Sequence, residues 1–312
     1  MKNLLALASA SLLMIGIVGC GDDPVTVEVN KSFEAKKNDK YTYEVYDRDA
    51  SQAPVTATKT IRTWTVLELS ASYEGKSNVA KIDQIYFAAD GTTQTGRDTI
   101  YLQTNPDGTI HQYDAVGEVL KRFPETIRPF ISQLPKSWAK VSDTKSSNAL
   151  TWVSSFKTAA TADLPLIGPT AISAEMNAQH LGRSKRNATV PAGSFTALYN
   201  TDHTMTAEAK SVNNPTAPAI LSDSMVLHYD FDIDSGLVKW AMDSKTVSLN
   251  LLGAAQPYFI AGFEMNLVKA ERAQQLSTCQ QQLKRWGGYT RRKLVCEILL
   301  SQVWYGFPLS RE

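Results

Sequence analysis

Three carboxylates alternate with apolar side chains in Asp230-Phe231-Asp232-Ile233-Asp234 and run into Ser235-Gly236. Alternating carboxylates that converge on one point suit a hard cation, and this order matches the opening of a calcium-binding loop. It departs from that pattern twice: Ser235 stands where the loop needs Gly, and Ala241 where it needs a bidentate Glu. Period-two alternation supplies a plainer reading, in which Leu227, Tyr229, Phe231 and Ile233 form the buried face of a strand. The three Asp residues would then lie on its wet face, before a hairpin turn. We expect no metal; Asp230, Asp232 and Asp234 mark the one place where calcium would bind. His111, His180, His203 and His228 have no second His or Cys at ligand spacing. The sequence has no Gly-x-Ser-x-Gly elbow and no glycine-rich phosphate loop, and Gly193-Ser194 reads as a turn.

The remaining chemistry belongs to cysteine. Cys20 is the only cysteine in the first 270 residues and closes the tetrapeptide Ile17-Val18-Gly19-Cys20, at the end of an apolar run from Leu4 to Val18 that Lys2 precedes. A charged start, an apolar middle and a small residue before the cut make a signal peptide. The run is too short for a membrane span, which needs roughly 20 apolar residues. The tetrapeptide resembles the lipobox of bacterial lipoproteins, with Gly19 and Cys20 matching and Ile17 and Val18 departing from the commonest choices. The resemblance implies cleavage before Cys20, a diacylglyceryl group on its thiol and an acyl chain such as palmitate on its new amino group. It implies no other cofactor. Gly21, where retained inner-membrane lipoproteins carry Asp, implies delivery across the periplasm to the outer membrane, and Asp22-Asp23 leaves a surface-export code open.

Cys279 and Cys296 sit eight residues before Gly287 and eight after Gly288. A hairpin turning on the two glycines would bring the thiols opposite each other, and an exported protein oxidises such pairs. We expect a Cys279–Cys296 disulfide, contributing about 3 kcal/mol in the chain-entropy model.

The elements that must position these groups read as strands. Alternation recurs at Tyr41, Tyr43, Val45 and at Phe259, Ala261, Phe263, Met265, Leu267. Further strands are expected at 61–69, 81–87, 99–103, 149–156, 194–199, 225–233 and 247–251. Ala89-Asp90-Gly91, Asn105-Pro106-Asp107-Gly108, Val190-Pro191-Ala192-Gly193 and Asp234-Ser235-Gly236 carry turn chemistry between them. Leu120, Phe123, Ile127, Ile131 and Leu134 recur at helical spacing, interrupted by Pro124 and Pro129; they suggest either a packed linker helix or a lid over a cavity. The fold class is therefore mainly β: an antiparallel curved sheet, half-open barrel or sandwich with a short helical plug and a C-terminal helical tail. Four regions follow: a signal peptide over 1–19, a tether over 20–35, the antiparallel β domain over 36–270, and a basic helical hairpin over 271–312. That tail holds five Arg and two Lys against three Glu, so it is either an addition with its own role or out-of-frame sequence after a natural end near Ala270. The body is similar to the half-barrel β lipoproteins that carry other lipoproteins to the outer membrane, a likeness of architecture that implies no activity.

Charge narrows the function. Lys and Arg total 32 against 31 Asp and Glu, and the leader contains Lys2 alone, so the mature chain has no field to attract nucleic acid. The aromatic residues Tyr41, Tyr43, Trp64, Tyr86, Tyr101, Trp138 and Trp152 fit core packing first and ligand stacking second. The first reading is a lipid-anchored, non-catalytic envelope protein that binds an apolar ligand, an envelope polymer or a partner protein. The second is a lipid-anchored hydrolase whose site is built from sequence-distant carboxylates or His. The third is a purely structural surface domain.

Overall fold

The computed structural model describes residues 32–123, 136–164, 168–251 and 254–273. Cys20, Cys279, Cys296, Ile127, Ile131 and Leu134 lie outside the described residues. The chain lays down β1 (Lys40–Arg48), β2 (Pro54–Tyr73), β3 (Lys76–Phe87), β4 (Gln94–Thr104) and β5 (Thr109–Tyr113). A single turn of helix, α1 (Gly117–Leu120), and β6 (Trp138–Asp143) complete the first half. The second half contains β7 (Leu150–Leu164), β8 (Gly168–Arg183), β9 (Ala188–Val190), β10 (Gly193–Phe195) and β11 (Tyr199–Ser211). It ends with β12 (Leu221–Asp232), β13 (Gly236–Met242), β14 (Lys245–Leu251), β15 (Ala254–Ile260) and β16 (Gly262–Glu271).

Twelve strands form one antiparallel sheet in the order β6-β5-β4-β3-β2-β1-β16-β13-β12-β11-β8-β7, while β9–β10 and β14–β15 are separate ribbons. This is the mainly β, open curved sheet that the turn spacing implies. The first half meanders outward from β1, the second meanders back to β16, and β1 and β16 pair from Lys40↔Glu271 to Arg48↔Gly262 with one register shift between Thr42 and Tyr43. The order is that of an up-and-down barrel cut between two consecutive strands, β6 and β7.

Alternation explains which face is buried. Tyr41, Tyr43 and Val45 of β1, Leu227, Tyr229 and Phe231 of β12, and Phe263, Met265 and Leu267 of β16 all enter one core. The rings interlock: Tyr43 meets Trp64 at 5.0 Å, Tyr229 meets Trp240 at 5.4 Å, and Trp240 meets Phe263 edge-on at 4.8 Å. Gly236 turns β12 into β13 with φ 80, and a Cβ there would lie 2.9 Å from the Phe33 ring. Only glycine satisfies both demands.

The cut edge is bridged by side chains. His203 Nε2 donates to the Val141 carbonyl at 2.8 Å, Trp152 Nε1 to the Lys140 carbonyl at 3.1 Å, and His180 Nε2 to the Ser146 carbonyl at 2.9 Å. These donors come from β11, β7 and β8, and the acceptors from β6 and the loop after it. Burial favours the neutral imidazole, holding His203 down at about 4 and lowering His180 as well, so each ring presents a single N–H to its carbonyl.

Two expected strands are corrected. The alternation from Phe259 to Leu267 is not one strand: β15 ends at Ile260 and β16 starts at Gly262. The chain there leaves a side ribbon for the sheet centre, and the Gly262 amide donates to Ser244 Oγ at 2.8 Å in a spot with no room for a Cβ. Phe259 is accordingly 44% exposed. The strand expected over 194–199 is a three-residue ribbon partner ending at Phe195, and the long strand begins at Tyr199.

Of the residues expected in a helical plug, Leu120 and Phe123 are described: Leu120 ends the single turn α1, in which Val119 is buried, and Phe123 is buried just beyond it. At the other end, Arg272 and Ala273 stay bonded to the body. The Arg272 guanidinium donates to the Tyr41 hydroxyl (2.9 Å) and the Glu34 carbonyl (2.6 Å) and pairs with buried Asp39. The Ala273 amide donates to Asp39 Oδ1 at 2.7 Å.

Replacing His203 by Leu should lower unfolding stability by about 1–3 kcal/mol through the unpaired Val141 carbonyl. Urea denaturation of the purified protein checks this, and an unchanged midpoint would show that the seam does not need the bond.

Candidate functional site

The three alternating carboxylates have separate duties. Asp230 is not on a wet face: it is 1% exposed, and it accepts from Arg186 Nη2 at 2.6 Å, Arg186 Nε at 3.0 Å and Asn200 Nδ2 at 2.8 Å. It keeps its place on the outer face, alternating with the core residues Tyr229 and Phe231, and is buried there because Arg186 and Asn200 cover it. Asp232 caps the turn, its Oδ2 accepting from the Asp234 and Ser235 amides at 3.1 and 2.8 Å. The structure therefore does not gather Asp230, Asp232 and Asp234 around one point. Among the described residues, no group of three His, Cys, Asp or Glu side chains is placed to hold a metal ion.

Arg186 continues into a row of charges across the outer face. Its Nη1 reaches Asp202 Oδ1 at 2.8 Å; the same oxygen accepts from His228 Nδ1 at 2.7 Å, and His228 Nε2 reaches Asp243 Oδ2 at 3.2 Å. Asp243 then binds Arg48 at 2.9 Å, and Glu264 binds Lys239 at 2.9 Å. Burial alone would pull the His228 imidazole down, but the two carboxylates on its nitrogens prevail and hold it up at about 9. Asp202 and Asp243 are correspondingly held below the usual carboxylate range, Asp202 against its own burial and Asp243 first through its bond to His228. Both imidazole nitrogens donate, so this His and its two carboxylates form a charged clamp, with no nitrogen left over to act as a base. Of the other histidines, His111 is pushed down to about 4 by burial and by Lys76 and Lys140. The four histidines do not converge.

A different constellation faces outward near the hairpin that joins β2 to β3. Tyr73 stacks on Tyr101 with ring centroids 3.5 Å apart and planes 8° from parallel, and Tyr113 meets Tyr73 edge-on at 5.0 Å. Trp138 meets Tyr113 at 5.6 Å and carries the Lys76 ammonium 5.3 Å above its ring. A shallow, open cleft of about 410 Å³ lies at the hairpin, lined by Ser72, Tyr73, Glu74, Gly75, Lys76 and Ser77, so that of the four rings Tyr73 reaches its wall. Lys76 donates to Gln103 Oε1 at 3.0 Å, and Lys136 pairs with Asp114 at 2.8 Å on the rim. Strand parity builds the row: Leu102, Ile110 and Val141 point into the core, which turns Tyr101 outward, while Tyr113 and Trp138 stand opposite each other across β5 and β6. The half-exposed rings of Tyr73, Tyr101 and Tyr113, backed by buried Trp138 whose Nε1 donates to the Glu74 carbonyl at 3.1 Å, stand beside amide, hydroxyl and charged groups and suit a ligand with alternating apolar faces and hydroxyls.

No protein-family model matches this chain, and no curated protein is similar to it in sequence. Among solved structures, a candidate lipoprotein from Parabacteroides distasonis ATCC 8503 is similar over 77% of this chain and 97% of its own. The identity is 11% and the TM-score 0.41, and at that level the likeness carries no argument.

The sequence pointed to Tyr101 and Trp138 as rings but did not group them with Tyr73, Tyr113 or Lys76. The available signal was the Tyr73-Glu74-Gly75-Lys76 turn, where Glu74 and Gly75 both take positive φ (43 and 77). That pair makes a tight hairpin and sets Tyr73 and Lys76 opposite each other.

Two outcomes test the electrostatics. The His228 pKa is raised on folding, so its contribution is complete below the unfolded value near 6.5 and disappears as pH rises through about 9. Thermal melts should therefore fall between pH 6.5 and 9, by about 3 kcal/mol of stability at most, and His228→Gln should flatten that slope. Asp230→Asn, which leaves the part-buried Arg186 guanidinium with Asp202 as its one remaining carboxylate, should cost about 3 kcal/mol in chemical denaturation, and millimolar calcium should not shift the wild-type melt.

Proposed function

We propose that this protein is a lipid-anchored, non-catalytic component of the cell envelope that binds an envelope polymer through the outward cleft beside Tyr73. Two features of the sequence support the location. The Ile17-Val18-Gly19-Cys20 tetrapeptide resembles a lipobox, and Gly21 follows the cysteine where outer-membrane lipoproteins lack Asp. The mature chain is close to electrically neutral, so attachment rests on the acyl chains at Cys20, of which two or three give a durable hold.

The observation that carries the binding clause is the Tyr73–Tyr101–Tyr113–Trp138 row beside a cleft with Glu74 and Lys76 in its wall. A glycan-type polymer offers ring faces to such aromatics and hydroxyls to such polar groups. Apolar cargo fits less well, because the described core face is occupied by interlocked side chains of the fold itself. Cys279 and Cys296 would join in one disulfide on the oxidising side of the membrane.

Cell fractionation tests the anchor: the wild-type protein should partition with the outer membrane and take up labelled palmitate, and Cys20→Ala should remain unprocessed or leave the membrane with its β domain folded. Co-sedimentation with isolated envelope polymer tests the cleft. Tyr73→Ala with Tyr101→Ala should weaken the binding at least tenfold with little change in melting temperature, and absence of wild-type binding would return the choice to a structural surface domain. Free thiols at Cys279 and Cys296 in unreduced exported protein, read by mass spectrometry, would rule out the disulfide.

A further inference from the structure

The wall of the outward cleft holds a cation without a counterion. Lys76 lines that wall next to Tyr73, its partner across the β2–β3 hairpin. Among the described residues no carboxylate pairs with its ammonium, whose contacts are Gln103 Oε1 at 3.0 Å and the Trp138 ring at 5.3 Å. Both contacts are themselves held: Gln103 Nε2 donates to the Ser77 carbonyl at 2.9 Å, and Trp138 Nε1 to the Glu74 carbonyl at 3.1 Å. Lys76 is half-buried in this seat. Burial strips part of its hydration and lowers its hold on its own proton, so an opposite charge brought to it is screened less than at an open surface lysine.

Strand pairing sets a polar row alongside the rings. Gln103 lies two residues after Tyr101, His111 two before Tyr113, and Lys140 two after Trp138, so each shares the outer face of its strand with a ring. Gln103 pairs with His111 and His111 with Lys140 across β4, β5 and β6, and the two rows therefore run about 7 Å apart. Lys76 is bonded to one end of the polar row, and Lys140 is the other end. His111 lies between them and reports the field there: burial first, then Lys76 and Lys140, push its pKa down to about 4. Asp143 accepts from Lys140 at 3.2 Å. Lys76 has no such partner.

The carboxylates nearby are placed differently. Asp114 on the rim is taken by Lys136 at 2.8 Å. Glu74 lines the same wall as Lys76 but is exposed at the hairpin tip, where water and salt screen its charge. The charge that is seated and part-desolvated is the positive one. Next to it stands a ring, and a sugar acid carries an oxyanion beside the ring face it offers for stacking.

We propose that the polymer bound at the outward cleft is an acidic glycan, whose sugar faces lie on Tyr73 and its neighbouring rings and whose oxyanions, carboxylate or phosphate, meet the Lys76 ammonium. The proposal rests on the polymer reading above and narrows it to a chemical class.

Co-sedimentation of the purified full-length mature protein with isolated envelope polysaccharide, freed of protein, tests it in three forms of the polymer: untreated, with carboxylates converted to neutral amides by carbodiimide, and dephosphorylated. Wild type should bind the untreated form, and one of the two treatments should weaken binding at least tenfold, amidation if the acid is a carboxylate and dephosphorylation if it is a phosphate. Lys76→Gln should weaken binding of the untreated polymer at least fivefold, whereas Glu74→Gln, which removes the opposing charge from the same wall, should strengthen it. Binding that survives both treatments, or that Lys76→Gln leaves at the wild-type level, would overturn the acidic class and leave the polymer reading standing. Equal weakening in Lys76→Gln and Glu74→Gln would mean that the shape of the wall rather than its charge is recognised, and would overturn it too. No binding of the untreated polymer by wild type would overturn both readings.

Discussion

The structure depends on how a sheet with twelve strands deals with its two free edges. A closed barrel would satisfy them by main-chain pairing. Here the edges belong to β6 and β7, consecutive in sequence, and carbonyls of β6 and the loop after it are met by the imidazoles of His180 and His203 and the indole of Trp152. Side chains replace a ladder. That substitution sets the chemistry of the neighbourhood: both histidines must stay neutral, each offering one N–H, and the aromatic column of Trp152, His203, Tyr229 and Trp240 fills the space a closing strand would have narrowed. The interior is left with polar atoms that a fully closed barrel would have paired or excluded.

The two faces of the sheet use polarity differently. On the outer face, Arg186, Asp202, His228, Asp243 and Arg48 neutralise one another in a chain of opposite charges crossing several strands. Such a chain is worth more than isolated surface pairs because its members are part-buried and each carboxylate serves two partners. On the core face, Arg62 and Glu118 are fewer and deeper, and their bonding is incomplete. A satisfied network stabilises a fold, whereas an unsatisfied one in the interior takes stability away.

Much of the fold was legible because period-two alternation and turn residues act locally. Tyr41-Tyr43-Val45 and Leu227-Tyr229-Phe231 read directly as buried faces, and each of the four turn motifs makes a turn. The break at Gly262 was not legible, since nothing in Phe259–Leu267 announces that Ser244 and the Met242 carbonyl crowd that backbone. Asp230 was misread because partners distant in sequence, Arg186 and Asn200, cover an outer-face carboxylate and bury it. The sites were less legible still. Arg62 stands in phase with Trp64 and Val66, a visible anomaly, but its meaning depends on Glu118, which reaches it from α1 rather than from a neighbouring strand.

The pairing of β1 with β16 places the first and last strands of the body side by side at the middle of the sheet. Every other ladder in that sheet joins strands close in sequence, so each half can zip locally, but this one closes a loop of more than two hundred residues. Assembly is therefore ordered in time. A chain that emerges amino end first presents β1 long before its partner, and β1 must wait with its apolar Tyr and Val side chains partly uncovered until Gly262–Glu271 follows. During that interval the nascent protein is two unjoined meanders, and the period of greatest exposure to aggregation or to chaperones is set by the arrival of its final strand.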